Sequence, residues 1–409
     1  MSSWRFLHAA DLHLDSPLRG LEAEGAPVEI IRDASRSALA GLVDCALAEK
    51  VALVLLAGDL FDGAWLEART GLHFAAQMKR LREAGIEVIA VRGNHDAQNR
   101  MSRQIELNIA VLSDRRPESR ALEALGAVVH GQSYGATTPD GSGIDLARWP
   151  RALPGLLNIG LLHTCLEQSG LHERYAPTTR ATLEGLGYDY WALGHIHARE
   201  EVSRDPWIVF PGNLQGRDVG ETGPKGVTLG SVVAGRIVAV EARALDRFRW
   251  EQVAVDLDGA ESEAAAQGVL HRALETAWEE AERRPIGVRL RLGGRTALHG
   301  RLTAGAWRER AAETAGQISE LIWIEGVAPA TAPRTAPLEG REDALGALAR
   351  RIGELAATPG AVPFGEWIGQ MREKLPELPP DHALHDPARL MEQARDLLLA
   401  RLAADGEES

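Results

Sequence analysis

The sequence predicts a layered α/β fold. Three observations predict it: short apolar runs alternating with helical patterns through the first half, polar residues able to bind metal just beyond several of those runs, and glycines punctuating the same segments. With 409 residues, 45% of them hydrophobic, the chain is long enough for two or three domains with a full core in the largest.

Trp4 to Ala10, Ala52 to Ala57 and Ile86 to Val91 are apolar runs suited to buried strands, the third rich in β-branched residues. Between them, Val28 to Glu49 and Ala64 to Ala84 carry apolar residues at helical spacing, with Asp62 as N-cap of the second helix. Leu157 to Leu162, Tyr190 to Leu193 and Trp207 to Phe210 read as further strands, followed by hairpin-like stretches at Gly226 to Val233 and Arg236 to Val240. Loops at strand ends then carry the chemistry.

A second unit is expected from near Trp250. It comprises a strand at Val253 to Asp256, a helix at Glu261 to Arg283, an alternating strand at Ile286 to Leu292, a helix at Trp307 to Gln317 and a strand at Leu321 to Ile324. Together these make a small α+β cap. Arg289 and Arg291 share one face of the alternating strand, where a solvated face and a DNA-facing role weigh equally. From Ala328 the chain becomes Ala/Pro/Thr-rich, the composition of a linker. A helix at Glu342 to Ala356 follows, then a Pro-broken segment and a terminal helix at Pro387 to Ala403 with an apolar stripe of Leu390, Met391, Ala394, Leu397 and Leu398. The expected division is 1–248, 249–327, a linker at 328–341 and a helical region at 342–409, with no internal repeat and no long low-complexity tract.

The net charge of −13 argues against a chain that grips nucleic acid strongly by itself, since nonspecific affinity comes mainly from Lys and Arg neutralising phosphates. Two divalent cations would reverse that field locally, and a partner could supply a basic channel. The only cysteines, Cys45 and Cys165, make no disulfide framework and fit a reducing compartment. With no basic leader and no apolar run of spanning length, a cytoplasmic location without a membrane anchor is expected.

Seven residues form the ordered series of candidate metal ligands: Asp11 and His13, Asp59 after Gly58, Asn94 after Gly93, His163, then His195 and His197 after Gly194. A D-x-H tripeptide alone arises easily by chance. Order and context give the series its weight. Carboxylate, imidazole and amide oxygen without thiolate suit Mn²⁺, Fe²⁺ or Zn²⁺ better than a structural cysteine site. Two histidines two apart in an extended segment place both rings on one side. His8, His73, His130 and His271 stand alone and read as surface or hydrogen-bonded residues. Asp15 and Asp62 read as supporting or capping groups, and Arg19, Arg92 and Arg217 as phosphate contacts or solvated side chains in equal measure.

These residues carry a resemblance to the calcineurin-like metallophosphoesterases, and more narrowly to the SbcD/YhaO-type DNA repair exonucleases. It rests on the opening Phe6-Leu7-His8-Ala9-Ala10-Asp11-Leu12-His13-Leu14-Asp15-Ser16-Pro17, on Tyr175-Ala176-Pro177, on Tyr188 through His197 and on Pro211-Gly212-Asn213-Leu214-Gln215-Gly216-Arg217. It is specific through roughly the first 230 residues and then fades; Asp218 stands where the family pattern has a less acidic residue. The resemblance implies a β-sandwich flanked by helices and two divalent ions, Mn²⁺ first with Fe²⁺, Zn²⁺ or Mg²⁺ as alternatives. By it, Asp11, His13, Asp59 and His197 hold one ion, Asp59, Asn94, His163 and His195 the other, and Asp59 bridges. His95 is then the acid or electrostatic stabiliser at the leaving oxygen, oriented by Asp96.

Expected from this is a metal-dependent DNA nuclease, a 3′ to 5′ exonuclease or endonuclease in repair, working with an SMC-like ATPase and, by family habit, as a homodimer. The chain has no Walker A loop, so ATP hydrolysis falls to that partner. A phosphatase or phosphodiesterase for small molecules on the same metal core is the main rival, since one fold hosts many substrates. A binding subunit of a repair complex is the third reading.

Overall fold

The computed structural model describes residues 3–14, 16, 27–62, 68–98, 109–135, 144–166, 178–334 and 342–357, together with 390, 394, 395 and 398. The Tyr175–Pro177 motif, Asp15, Arg19 and nearly all of the expected terminal helix lie outside the described residues. The chain divides into two compact units: Met1–Glu251 with Trp278–Gly287, and Gln252–Ala277 with Val288–Ser409. A contiguous reading of the sequence does not foresee that 278–287 groups with the first unit. The cause is local: the Arg249 N–H donates to Pro285 O at 2.9 Å, and Gly287 lies so close to the Trp250 and Phe248 rings that a Cβ there would fall 2.8 Å from Trp250.

In the first unit the elements are β1 (Ser3–Ala9), α1 (Val28–Ala48), β2 (Leu53–Ala57), α2 (Ala68–Glu83), β3 (Glu87–Val91), α3 (Asn94–Gln98), β4 (Ala110–Val111), β5 (Glu118–Leu122), β6 (Ala127–Gly131), β7 (Leu157–His163), α4 (Arg180–Gly185), β8 (Tyr190–Gly194), β9 (Glu200–Arg204), β10 (Trp207–Phe210), β11 (Gly226–Val233) and β12 (Arg236–Ala244). They build two six-stranded mixed sheets, in the orders β12-β11-β1-β2-β3-β4 and β5-β6-β7-β8-β10-β9. β1 to β4 pair in parallel, as do β6-β7-β8-β10, while β5, β9, β11 and β12 are added antiparallel.

The layering follows from strand alternation, because successive side chains leave a strand on opposite faces. Leu7, Ala9, Val54, Leu56 and Val88 face α1 and α2, packing on Leu39, Leu42, Phe74 and Met78. Their neighbours Phe6, Leu53, Leu55, Ile89 and Val91 face the other sheet and meet Val129, Ile159, Leu161, Tyr190 and Val209. Burial on both faces makes these strands continuous apolar runs, which is why they are visible in the sequence. On the far face of the second sheet, Leu162, Trp191, Leu193, Ile208 and Phe210 pack with Trp149 and Tyr188.

The second unit contains a three-stranded sheet, β13-β14-β16, from β13 (Arg249–Asp256), β14 (Ile286–Gly293) and β16 (Ile322–Pro329), with α5 (Glu263–Glu280) and α6 (Ala304–Ile318); the unit boundary runs through β13, α5 and β14. A two-stranded parallel pair joins β15 (Arg295–Thr296) to β17 (Ala332–Pro333), and α7 spans Ala344–Ala357. The Ala/Pro/Thr-rich stretch from Ala328 therefore departs from the linker expectation as far as Arg334. Its N–H groups at Ala330, Ala332 and Arg334 donate to Leu292, Gly294 and Thr296 carbonyls at 2.7, 2.8 and 3.2 Å. Arg289 on β14 is ion-paired with both oxygens of Glu325. Among the described residues no helix is long and apolar enough to cross a membrane.

Candidate metal centre

Five parallel strands deliver the candidate ligands at their C-terminal ends, the edge where open α/β sheets usually place ligands. Asp11 and His13 follow β1, Asp59 follows β2, Asn94 opens α3 just after β3, His163 closes β7, and His195 and His197 follow β8. All seven come together. Asp59 Oδ2 lies 3.3 Å from His163 Nε2 and 3.8 Å from His13 Nε2; Asn94 Oδ1 lies 3.0 Å from His163 Nε2. His197 Nε2 stands 3.1 Å from His13 Nε2 and 3.9 Å from Asp11 Oδ1. The His195 ring lies against His163 with centroids 5.3 Å apart, and its backbone N–H donates to both Asp11 oxygens at 3.0 and 3.1 Å.

The backbone is bent to achieve this. Asp11, His13, Asp59 and His195 have φ of 51, 40, 51 and 102°, in the left-handed region that non-glycine residues seldom enter. Strain of that kind clusters at functional sites, and here cross-strand bonds hold it, with Asp11 N donating to Gly58 O and His13 N to Asp59 O, both at 3.0 Å. The neighbouring glycines have a steric role as well. A Cβ on Gly58 would lie 2.5 Å from His163 Nδ1, on Gly93 2.1 Å from Asp59 Oδ1, and on Gly194 1.9 Å from Ala57 O. The glycines beside the ligands are there because side chains would fill the space the ligands occupy.

The donor set fits divalent ions. Asp11, His13 and His197, then Asp11, Asp59 and His163, then His13, Asp59 and His95 each bring three donor atoms within 4.8 Å of one another. Asp11, Asp59 and His163 are fully buried apart from a few per cent of exposure, and no sulfur donor is among the three groups. Burial would raise Asp59, but His163, His13 and His95 hold it well below the usual carboxylate range. Burial pulls His163 down, and Asp59, Asp11 and the Ala57 carbonyl overcome this and push it up to about 9. The pocket's field therefore favours positive charge, as carboxylates around a hard or borderline cation do.

His95 sits at the edge, its side chain 38% exposed, and the contact that orients it differs from expectation. Asp62, not Asp96, holds its Nδ1, at 2.8 Å, and this hydrogen bond, outweighing burial, raises the imidazole above its ordinary value. Asp96 instead accepts from the backbone N–H groups of Leu60, Phe61 and Gly93 at 3.0 to 3.2 Å, tying the loop after β2 to the start of α3. Its contribution is to hold Asp59 and Asn94 in register. Burial and the nearby Asp59 charge push Asp96 up to about 6 against those three donors. The other oxygen of Asp62 faces Arg217 at 3.9 Å; the expected cap at Asp62 leads into residues 63–67, which lie outside the described residues, and α2 is described from Ala68.

Glu221 went unread in the sequence. It accepts from His197 Nδ1 at 2.7 Å and from the Arg217 backbone and guanidinium, and burial, which would raise it, is overcome by His197 and Arg217, which hold it far below its ordinary value. The only signal was a carboxylate four residues after Arg217. Asp218, the departure from the family pattern, closes the intervening turn by accepting from Gly220 N at 2.7 Å.

A buried cluster of carboxylates, imidazoles and one amide at the ends of parallel strands, with an exposed histidine beside it, defines a metal-dependent hydrolase centre. Residues 5–199 match the family described as calcineurin-like phosphoesterase, and residues 250–332 match the middle domain of metallophosphoesterase YhaO. The "Uncharacterized metallophosphoesterase YhaO" of Bacillus subtilis (strain 168) is 37% identical over 298 residues, covering 71% of this chain and 71% of that protein. The chain belongs to the calcineurin-like metallophosphoesterase family, whose members bind two divalent metals. It is also similar to proteins named "DNA double-strand break repair protein Mre11": that of Methanopyrus kandleri is 24% identical over 235 residues, 51% of this chain and 48% of that protein. The Saccharolobus solfataricus protein of the same name is 27% identical over 219 residues, 50% of this chain and 52% of that one.

Proposed function

We propose that this metallophosphoesterase is a two-metal DNA nuclease that hydrolyses phosphodiester bonds in DNA repair, as a 3′ to 5′ exonuclease or an endonuclease. The observation that carries the reading is the convergence of all seven candidate ligands with a separate, oriented His95 at their edge, in a chain similar to proteins named for DNA break repair. Asp11, His13, Asp59 and His197 would hold one ion, and Asp59, Asn94, His163 and His195 the other. Mn²⁺ is the first candidate, and such a pair supplies Lewis acidity and an activated water for in-line attack.

The chain's own groups do the rest. Asp59 would serve both ions, since its carboxylate lies 3.8 Å from His13 Nε2 and 3.3 Å from His163 Nε2. His95, whose pKa the Asp62 hydrogen bond raises, would give its proton to the leaving oxygen or offset its charge. Asp96 keeps the two ligand loops in register, a supporting part in catalysis. No covalent enzyme intermediate is required.

An acidic chain of net charge −13 is poorly equipped to hold long DNA alone, which supports an SMC-like ATPase partner, with the region from Glu342 onward as the docking part. In its described portion, Leu348 of α7 is 44% exposed. A homodimer, by family habit, completes the proposed assembly. The test sets linear duplex and single-stranded DNA beside a small phosphodiester, each with Mn²⁺. Preferred cleavage of DNA is expected; turnover of the small phosphodiester alone overturns the nuclease reading in favour of a small-molecule phosphodiesterase. Removal of residues from Glu342 should abolish co-purification with the ATPase while sparing small-phosphodiester cleavage, and retained co-purification would place the interface elsewhere.

A further inference from the structure

We propose that Glu221 is the positioning residue of the centre, fixing the tautomer of His197 toward the metals and aiming Arg217 at the substrate phosphate. The inference rests on the reading of His197 as a metal ligand. Glu221 is a largely buried carboxylate, its side chain 13% exposed, whose two oxygens are filled by donors from three residues. Oε1 accepts from His197 Nδ1 at 2.7 Å and from Arg217 Nε and Nη2 at 3.1 and 3.0 Å. Oε2 accepts from Asn213 Nδ2 at 2.7 Å and the Arg217 N–H at 2.8 Å.

An ionised carboxylate can only accept, so the shorter 2.7 Å contact to Glu221 puts the ring proton on Nδ1 of His197, over the longer 3.2 Å approach of Arg217 Nη2, and leaves Nε2 with its lone pair. That bare Nε2 is the atom facing His13 Nε2 and Asp11 Oδ1 at 3.1 and 3.9 Å. A carboxylate behind a ligating imidazole sets its orientation and raises its basicity. The His197 carbonyl is pinned as well, accepting from Lys225 Nζ at 3.0 Å and Asn213 N at 3.2 Å. Ring and backbone of this one residue are thus both held.

The second consequence concerns Arg217. Its Nε and Nη2 are taken up by Glu221, Nη2 also lying 3.2 Å from His197 Nδ1, while Nη1 makes no hydrogen bond among the described residues and is ion-paired with Asp62 Oδ2 at 3.9 Å. Asp62 is the residue that holds His95. The Nη1 end of the guanidinium, ion-paired but not hydrogen-bonded to Asp62, therefore stands on the leaving-group side of the centre, where its two N–H donors match a phosphate oxygen. The loop is built for the purpose: the Glu221 N–H donates to Asp218 O at 3.0 Å, and a Cβ on Gly216 would fall 2.9 Å from Glu221 O.

The test is Mn²⁺ titration of the full-length protein, with steady-state hydrolysis of a small phosphodiester alongside. Glu221→Ala should weaken one of the two ions about 10- to 100-fold and leave the other unchanged, and it should raise KM through loss of the Arg217 aim. Glu221→Gln keeps the shape and one acceptor oxygen and should recover part of the metal affinity; it carries the test if the alanine variant does not fold. His197→Ala should weaken the same ion, and the double variant should bind no worse than His197→Ala alone, the non-additivity of residues acting through one another. Wild-type affinity for both ions in the Glu221 variants, or additive losses, overturns the proposal. Failure of the wild-type protein to take up two ions sinks the metal reading itself, a different result from two ions that ignore Glu221.

Discussion

The two sheets of the first unit meet at one centre and bring different chemistry to it. The sheet through β1, β2 and β3 supplies both candidate carboxylates, the amide of Asn94 and His13, and does so from turns with left-handed backbone at Asp11, His13 and Asp59. The sheet through β7 and β8 supplies only imidazoles, His163, His195 and His197, with one left-handed residue, His195. A carboxylate brought to a buried site must be opposed by positive charge, and the imidazoles of the other sheet are placed to share that task with a metal. The first sheet thus bears the charge and the strain. In the proposed centre the second would complete the coordination shell, with Glu221, in the loop between β10 and β11, orienting His197.

Asp59 is where this comparison is most easily broken, since its carboxylate reaches both sheets' histidines. Asp59→Ala should reduce turnover to background and remove most of the bound metal. Metal analysis showing two full equivalents in the purified variant would end the bridging role. His95→Ala should separate chemistry from coordination: its ring is held by Asp62 at the rim, so metal content should stay near normal while turnover falls about 10²-fold or more. Retained turnover would remove His95 from the mechanism.

The same contrast explains what was legible in the sequence. β1, β2, β3, β7 and β8 are buried on both faces, so they appear as apolar runs, and the ligands just beyond them could be read in order. Edge strands have no such signature. β5, with the sequence Glu-Ser-Arg-Ala-Leu, and β9, Glu-Glu-Val-Ser-Arg, are polar because one edge and much of one face meet water, and both went unpredicted. β6 was hidden differently, by an apolar run of only three residues before His130 and Gly131. Asp62 was legible as a supporting or capping group but not as the partner of His95, and Glu221 escaped altogether, because hydrogen bonds between distant loops leave no periodic trace; Asp96 is adjacent in sequence to His95, and adjacency suggested the wrong partner.

A smaller effect should come from Gly93, which a contact-based reading places against the first sheet's own carboxylate. Gly93→Ala would set a methyl 2.1 Å from Asp59 Oδ1 and 2.7 Å from Asp59 N. The side chain can shift and the backbone cannot, so overpacking of about 1–3 kcal/mol is expected, with metal affinity lowered about 10-fold as Asp59 moves off its position. Thermal unfolding and Mn²⁺ titration measure the two parts. Wild-type values in both would show that the glycine is not needed for the ligand's placement.

The smallest effect concerns how the sheets are joined away from the metals. His8, on β1, is fully buried and spans the interlayer to β8, with Nδ1 3.0 Å from Tyr190 Oη and Nε2 3.1 Å from Leu193 O. A carbonyl only accepts, so Nε2 carries the proton and Nδ1 accepts from the tyrosine hydroxyl; the ring is satisfied when neutral. Burial, chiefly, pulls its pKa from 6.5 down to about 3. Below the unfolded value the denatured chain therefore binds a proton that the folded one refuses. The stability His8 contributes is complete above about pH 6.5 and is lost as pH falls toward 3, at up to about 1.4 kcal/mol per pH unit. Urea unfolding of the chelator-treated protein at pH 7, 6 and 5 should show this decline, and His8→Gln should flatten it even if the variant is less stable throughout. Histidines elsewhere contribute equally to both proteins, so the difference in slope isolates the interlayer ring. Parallel slopes would mean that His8 is already protonated or already unburied in the folded protein, and that the ring is not a neutral link between the two sheets.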